Sequence, residues 1–93
     1  MREAVAQKIL LRKDEIGHIL AREEGKTLAE AVGETTRAAQ VFRFLAGEAI
    51  RIAGDAVASV RPEVDVDVTR GPVGVVGMIT PWNFPIAIPA LKI

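Results

Sequence analysis

Asn83 is the side chain whose setting most suggests chemistry. It stands in "MITPWNFPIAIP", Met78 to Pro89, between Trp82 and Phe84, with prolines at 81, 85 and 89. The stretch lies in an uncharged run from Gly71 to Leu91, bounded by Arg70 and Lys92. A neutral amide on a stiffened, dry loop meets the requirements for stabilising a developing oxyanion: a donor already in place, little water, no reorganisation. Losing one such donor typically costs about 2.7–4 kcal/mol of transition-state stabilisation. A second reading makes the run a buried core strand followed by a packed loop, with Trp82 and Phe84 as plugs and Asn83 bonded to backbone. A third makes it a membrane span on length alone. The third fails on its prolines, since each interior proline costs a helix about 3 kcal/mol. The residues by themselves leave core and site equally open.

The elements that would position Asn83 can be read from periodicity. Val5, Ile9, Ile16, Ile19 and Leu20 recur at helical spacing, and Gly25 after "REE" is a stop. "TLAE" opens a second helix with a capping-box pattern, Thr27 and Glu30. Its apolar stripe runs through Leu28, Val32, Ala39, Phe42, Ala46, Ala49 and Ala53 to Gly54, a suitable residue just past a helix end. Gly33 and Gly47 inside it point to close packing, which would offset their poor helix propensity. The period then changes to two. In "EVDVDVTR", Val64, Val66 and Val68 alternate with Asp65, Asp67 and Thr69, as in a half-exposed strand. Arg61-Pro62-Glu63 supplies a turn, and "AVAS" a short partner strand. "VGVVGMI" is a continuous apolar run, suited to a strand buried on both faces of a parallel sheet. Pro85 fits the first turn of a following helix, with Phe84 or Asn83 near its cap. A loop at the carboxyl end of such a strand is where α/β sheets hold ligands.

Composition narrows the function classes. Twelve basic residues balance twelve acidic ones among 93, so no basic excess points to nucleic acid or an anionic membrane. There is no cysteine, which excludes disulfides, thiolate metal sites and a cysteine nucleophile within these residues. The amphipathic, charged N-terminus has no signal-peptide core, and the chain reads as cytoplasmic. Hydrophobic residues make up 49%, a high share for so short a chain, and this implies apolar surface meant to meet something else.

"GPVGVVGMITPWNFPIAIPALK" resembles the signature of the aldehyde dehydrogenase superfamily, P-x-G-V-x-x-x-I-x-P-W-N-x-P followed by proline, an apolar residue and lysine. "EEGKTLAEAVGE" resembles the family's E-x-G-K-x-x-x-E-A segment, and "AAQVFRFLAGEAIRIAGD" the rest of that helix and the turn after it. The resemblance covers nearly the whole chain. It implies an NAD- or NADP-dependent oxidation of an aldehyde to a carboxylate by a cytoplasmic homo-oligomer. It gives Asn83 the oxyanion role and places Ile79, Thr80, Pro81 and Trp82 along the cofactor cleft, with no metal. It implies an α/β fold, incomplete here: helices over 1–54, a hairpin of the oligomerisation element over 56–70, and the first Rossmann-like strand and W-N-x-P loop over 73–93. The family's cysteine and glutamate would lie beyond Ile93, so these residues would be inactive alone. Gly71 and Leu91 depart from the pattern, where an acidic residue and an aromatic are common. The chain most resembles bacterial members acting on 2-oxoglutarate semialdehyde and related dicarboxylic semialdehydes. A competing function is a non-catalytic module, a helical pair with a hairpin that assembles with another protein.

The remaining polar residues have plainer readings. His18 lacks a second ligand at suitable spacing and reads as solvated or capping. Lys26 reads as a surface charge rather than a cofactor ligand, and Lys92 as structural. Glu23, Glu24, Asp65 and Asp67 read as solvated, the two aspartates discouraging wrong strand pairing. Thr80 would either touch ligand or simply end the strand.

Overall fold

A computed structural model describes residues 1–93. The first helical segment is two helices, α1 (Arg2–Leu11) and α2 (Lys13–Glu24). The single helix expected up to Gly25 is broken at Arg12, whose backbone (φ −112°, ψ 17°) leaves the helical region. Arg12 then reaches forward into the first turn of α2. Its Nε and Nη2 donate to the two carboxylate oxygens of Glu15 at 2.8 and 2.6 Å. Gly25 closes α2 in the left-handed conformation, φ 77°, its N–H donating to Ala21 O. A residue with a side chain is strained there, and glycine is not.

Helix α3 (Leu28–Glu48) starts at the capping box read from the sequence. Thr27 Oγ1 accepts from the Glu30 N–H at 3.3 Å, and a Glu30 carboxylate oxygen accepts from the Thr27 N–H at 3.0 Å. The buried face of α3 coincides with the expected stripe only at Ala39. Ala31, Glu34, Thr35, Ala38, Ala39 and Val41 are buried, while Val32, Phe42 and Ala46 are half-buried and Leu28 is exposed. Small side chains let backbones approach closely, and α3 uses them to take α1 and α2 on one part of its surface and α4 on another. The closest approach is at Gly17 of α2: a Cβ there would stand 2.5 Å from Val32 Cγ2 and 3.1 Å from the Val32 backbone. Gly33 and Gly47, expected to mark tight packing, do not. A Cβ on Gly33 would meet nothing, and one on Gly47 only the movable Arg51 guanidinium.

Helix α3 also ends earlier than expected, at Glu48, with residues 51–54 already irregular. Past Leu45 no side chain on this helix is buried, so nothing offsets the cost of continuing it. Gly54 is not a helix cap. It lies against the hairpin, where a Cβ would collide with the Val68 carbonyl.

Strands β1 (Asp55–Ala58) and β2 (Asp65–Val68) pair antiparallel, Asp55 opposite Val68 and Ala58 opposite Asp65. The turn holds Glu63 at φ 61° and a Ser59 Oγ that accepts from the Arg61 N–H. Arg70 Nε donates to Ala53 O at 3.0 Å and ties the open end. The half-buried strand expected from "VDVDV" is exposed on both faces, because the ribbon touches none of the helices. The strand expected over Val73 to Ile79 is absent. The only sheet is the two-stranded one, and Val73, Val75 and Ile79 are 88%, 104% and 103% exposed. A strand exists through its ladder, and no element among these residues offers one. The α/β reading therefore holds at the level of mixed helices and strands, without a parallel sheet.

Helix α4 (Ala87–Lys92) follows the loop. It begins at Ala87 with Ile86 as its N-cap, one residue after Pro85, and the Ile88 N–H donates back across Pro85 to Phe84 O at 3.0 Å. Pro89 sits in the first turn of α4, where proline is tolerated. Ala38, Val41 and Ala90 form a small core, flanked by Phe42, Leu45 and Ile86. Arg2 Nη2 donates to Ile93 O at 2.7 Å, joining the two ends of the helical part. No helix is long and apolar enough to cross a membrane. The radius of gyration is 18.9 Å, against about 12 Å for a compact domain of this length. The excess comes from the uncovered ribbon and the run after it.

The contrast between glycines is testable. Gly17→Ala forces the α2–α3 crossing apart and is expected to destabilise the protein by about 1–3 kcal/mol, the usual range for overpacking. Gly33→Ala, with open space around it, is expected to stabilise by up to about 1 kcal/mol. Urea denaturation midpoints of the two variants check both signs.

Candidate active site

The loop from Thr80 to Ile86 is fixed by a cluster of three charges, one of them, Glu34, deeply buried and the other two half-buried. Glu34 projects from α3 with its side chain only 2% exposed. Its Oε1 accepts from the Ile86 and Ala87 N–H groups at 3.0 and 3.1 Å, capping the start of α4. Its Oε2 accepts from Lys26 Nζ at 2.5 Å. Lys26, in the short connection between α2 and α3, also pairs with Glu24, and the two side chains are 17% and 14% exposed. The ammonium lies 4.8 Å from the centre of the Phe84 ring, within cation–π range. It also points at the Asn83 carbonyl oxygen, 3.4 Å away. Glu24 Oε2 has no partner in hydrogen-bond geometry and is met by this ammonium alone.

The electrostatics follow from these contacts. Burial pushes the Glu34 carboxyl up, but the Lys26 ammonium and the two amides together outweigh it and hold the group below the ordinary carboxylate value. The hydrogen bonds of Glu24 and then Glu34 raise Lys26, with burial opposing. At neutral pH the pair is therefore ionised. Desolvating such a pair costs several kcal/mol per ion, and this is offset only when every lone pair and proton is used. Both Glu34 oxygens are used here.

Lys26 and Glu24 are thus not the solvated surface charges the sequence suggested. Glu23, Asp65, Asp67 and His18 are exposed. Glu34 was missed altogether. The signal lay in its phase: Ala31, Glu34, Thr35, Ala38 and Ala39 follow the i, i+3, i+4, i+7, i+8 template of a buried helical face, and a carboxylate on that face needs a partner. No group of three His, Asp or Glu side chains is placed to hold a metal.

Asn83 is exposed, and its side-chain amide takes part in none of the intramolecular hydrogen bonds. It faces a cleft of about 540 Å³ lined by Glu23, Glu24, Lys26, Trp82, Asn83 and Pro85. The structure brings Trp82 and Asn83 together there. Ile79, Thr80 and Pro81 precede them along the chain and do not line that cleft; Thr80 is half-buried and the other two exposed. The core-plug reading of the loop fails for Trp82, which is 87% exposed. What results is a donor with both protons free, on a loop whose backbone is held from beneath by charge.

The model of the aldehyde dehydrogenase family matches residues 2–93. The chain belongs to the aldehyde dehydrogenase family. It is 49% identical over 81 residues to an alpha-ketoglutaric semialdehyde dehydrogenase of Bacillus subtilis, covering 87% of this chain and 17% of that protein. It is 44% identical over 82 residues to an alpha-ketoglutarate semialdehyde dehydrogenase of Haloferax volcanii, covering 88% and 17%. It is 42% identical over 85 residues to succinate-semialdehyde dehydrogenase [NADP(+)] 1 of Schizosaccharomyces pombe, covering 91% and 17%. This aldehyde dehydrogenase chain therefore spans about a sixth of the length of these relatives. No solved structure matches it.

The Lys26–Glu34 clamp sets a pH window for loop attachment in this family member. The Glu34 carboxyl is lowered on folding, so its contribution is complete above the ordinary glutamate range and is lost as pH falls through its folded value. Lys26 is raised, so its contribution is complete at neutral pH and is lost only as pH rises through a value above the ordinary lysine range. Hydrogen-exchange protection factors of the Ile86 and Ala87 amides, corrected for intrinsic rates, are expected to stay flat across neutrality and to drop in acid. Protection that persists below the Glu34 transition would exclude the carboxylate as their acceptor.

Proposed function

We propose that this chain supplies the oxyanion-stabilising loop of an aldehyde dehydrogenase that converts an aldehyde to a carboxylate with NAD or NADP. The observation that carries this is the unpartnered Asn83 amide at a cleft, on a loop clamped by Glu34 and Lys26. When a nucleophile adds to an aldehyde carbonyl, the oxygen gains negative charge as the carbon becomes tetrahedral. A fixed N–H donor at that oxygen favours the charged species over the neutral aldehyde, and this difference lowers the barrier. The nucleophile comes from outside these residues, since they hold no cysteine.

NAD or NADP supplies the hydride acceptor when bound. Ile79, Thr80, Pro81 and Trp82 fit contacts with it through backbone and apolar surface: three of the four are exposed, and the run Gly71 to Leu91 contains no charge. The same residues offer no cation to a phosphate, so phosphate recognition falls to other parts of the enzyme. The uncovered hairpin supports the oligomerisation role, because a two-stranded ribbon is at best marginally stable until another surface covers it. The substrate class we favour is a short dicarboxylic semialdehyde, on the strength of the relatives' names, and the compartment is the cytoplasm.

In the intact enzyme Asn83→Ala is expected to lower turnover by about 10²–10³-fold while leaving NAD(P) affinity in place. Steady-state kinetics with cofactor titration measure both quantities. Full turnover in that variant would remove the oxyanion role.

A further inference from the structure

We propose that Lys26 and Glu34 are positioning residues for Asn83, setting where its amide points rather than merely holding the helices together. The inference rests on the oxyanion role of Asn83. No hydrogen bond restrains the Asn83 side chain itself, so its aim depends on the backbone that carries it. That backbone is fixed at both flanks by one ion pair. On one side the Lys26 ammonium faces the Asn83 carbonyl at 3.4 Å and lies 4.8 Å from the centre of the next residue's ring. On the other, Glu34 Oε1 holds the Ile86 and Ala87 amides. The two halves meet in the 2.5 Å contact between Nζ and Glu34 Oε2. Pro85 lies between the two anchored points, removing one soft torsion. The loop is therefore a short, stiff span pinned at each end to one charge cluster, and a shift of that cluster moves Asn83 with it. Neither Lys26 nor Glu34 needs to touch substrate for this.

A double-mutant cycle in the intact enzyme separates positioning from plain structural support. Lys26→Met removes the ammonium and keeps most of the stem. Glu34→Gln keeps an acceptor oxygen for Ile86 and Ala87 but loses the charge facing Lys26. Each is expected to lower kcat by about 10- to 100-fold, the scale of a small misplacement of a catalytic group. The KM for NAD(P) is expected to stay unchanged. In an Asn83→Ala background the same substitutions should lower kcat by less than about threefold more, because residues acting as a unit are non-additive. Should Lys26→Met fail to yield folded enzyme, the milder Glu34→Gln carries the cycle. Losses that multiply in full on top of Asn83→Ala, as for independent sites, would overturn the positioning role, as would unchanged kcat in folded Glu34→Gln. If Asn83→Ala itself turned over normally, the oxyanion reading would fail first, and this inference with it. A slow Asn83→Ala combined with multiplicative losses would remove only the inference.

Discussion

A carboxylate taken out of water is tolerated only when each of its oxygens is occupied, and Glu34 meets that condition in a way that organises its surroundings. One oxygen faces the amides that begin α4, the other faces Lys26. Glu34 joins the second turn of α3 to the connection eight residues earlier and to the loop and helix more than fifty residues later. Apolar contact works beside it: Ala38, Val41 and Ala90 pack together with Phe42, Leu45 and Ile86 against them. The apolar contacts hold α4 against α3, and the charge pairing fixes where α4 begins.

The ranking of effects on Glu34 explains why the arrangement survives. Burial opposes ionisation and is the largest single influence on the group, yet one ammonium and two amides together outweigh it. Any one of these contacts removed leaves the others to support a desolvated ion. Such a junction is firm while complete and fails abruptly when it is not. That behaviour suits a loop that must present one amide at one place.

Much of this was legible in the sequence, and the parts that were not share a cause. The capping box at Thr27 and Glu30, the stop at Gly25 and the hairpin all follow from local rules, each involving residues close to one another in the chain, whereas the dry setting expected around Asn83 is not found, since Pro81, Trp82 and Asn83 are exposed. The errors arose where a distant partner decides. The buried face of α3 was placed out of phase: the expected stripe shares only Ala39 with the face that distant helices cover, Ala31, Glu34, Thr35, Ala38, Ala39 and Val41. Gly54 was read as a helix cap because its collision with Val68 depends on the ribbon folding back. Lys26 and Glu24 were read as solvated because their burial depends on a glutamate further along. Val73 to Ile79 carries the composition of a buried strand, but composition cannot form a ladder without a partner. The site was read through the resemblance of W-N-x-P to a known loop, whereas of the charges beneath that loop only the phase of Glu34 was in the sequence, and their pairing came from the structure.

The open run after the hairpin has a consequence for how the chain is made. Val73 to Ile79 is uncharged, rich in valine and exposed, which is the kind of segment that templates unwanted cross-strand assembly. Gly74 and Gly77 interrupt it, and Pro72 and Pro81 bracket it. Proline cannot donate to a growing ladder, and glycine weakens one. Pro81, which stiffens the loop before Asn83, thus shares with Pro72, Gly74 and Gly77 the placement of a gatekeeper that keeps an uncovered segment from recruiting its neighbours.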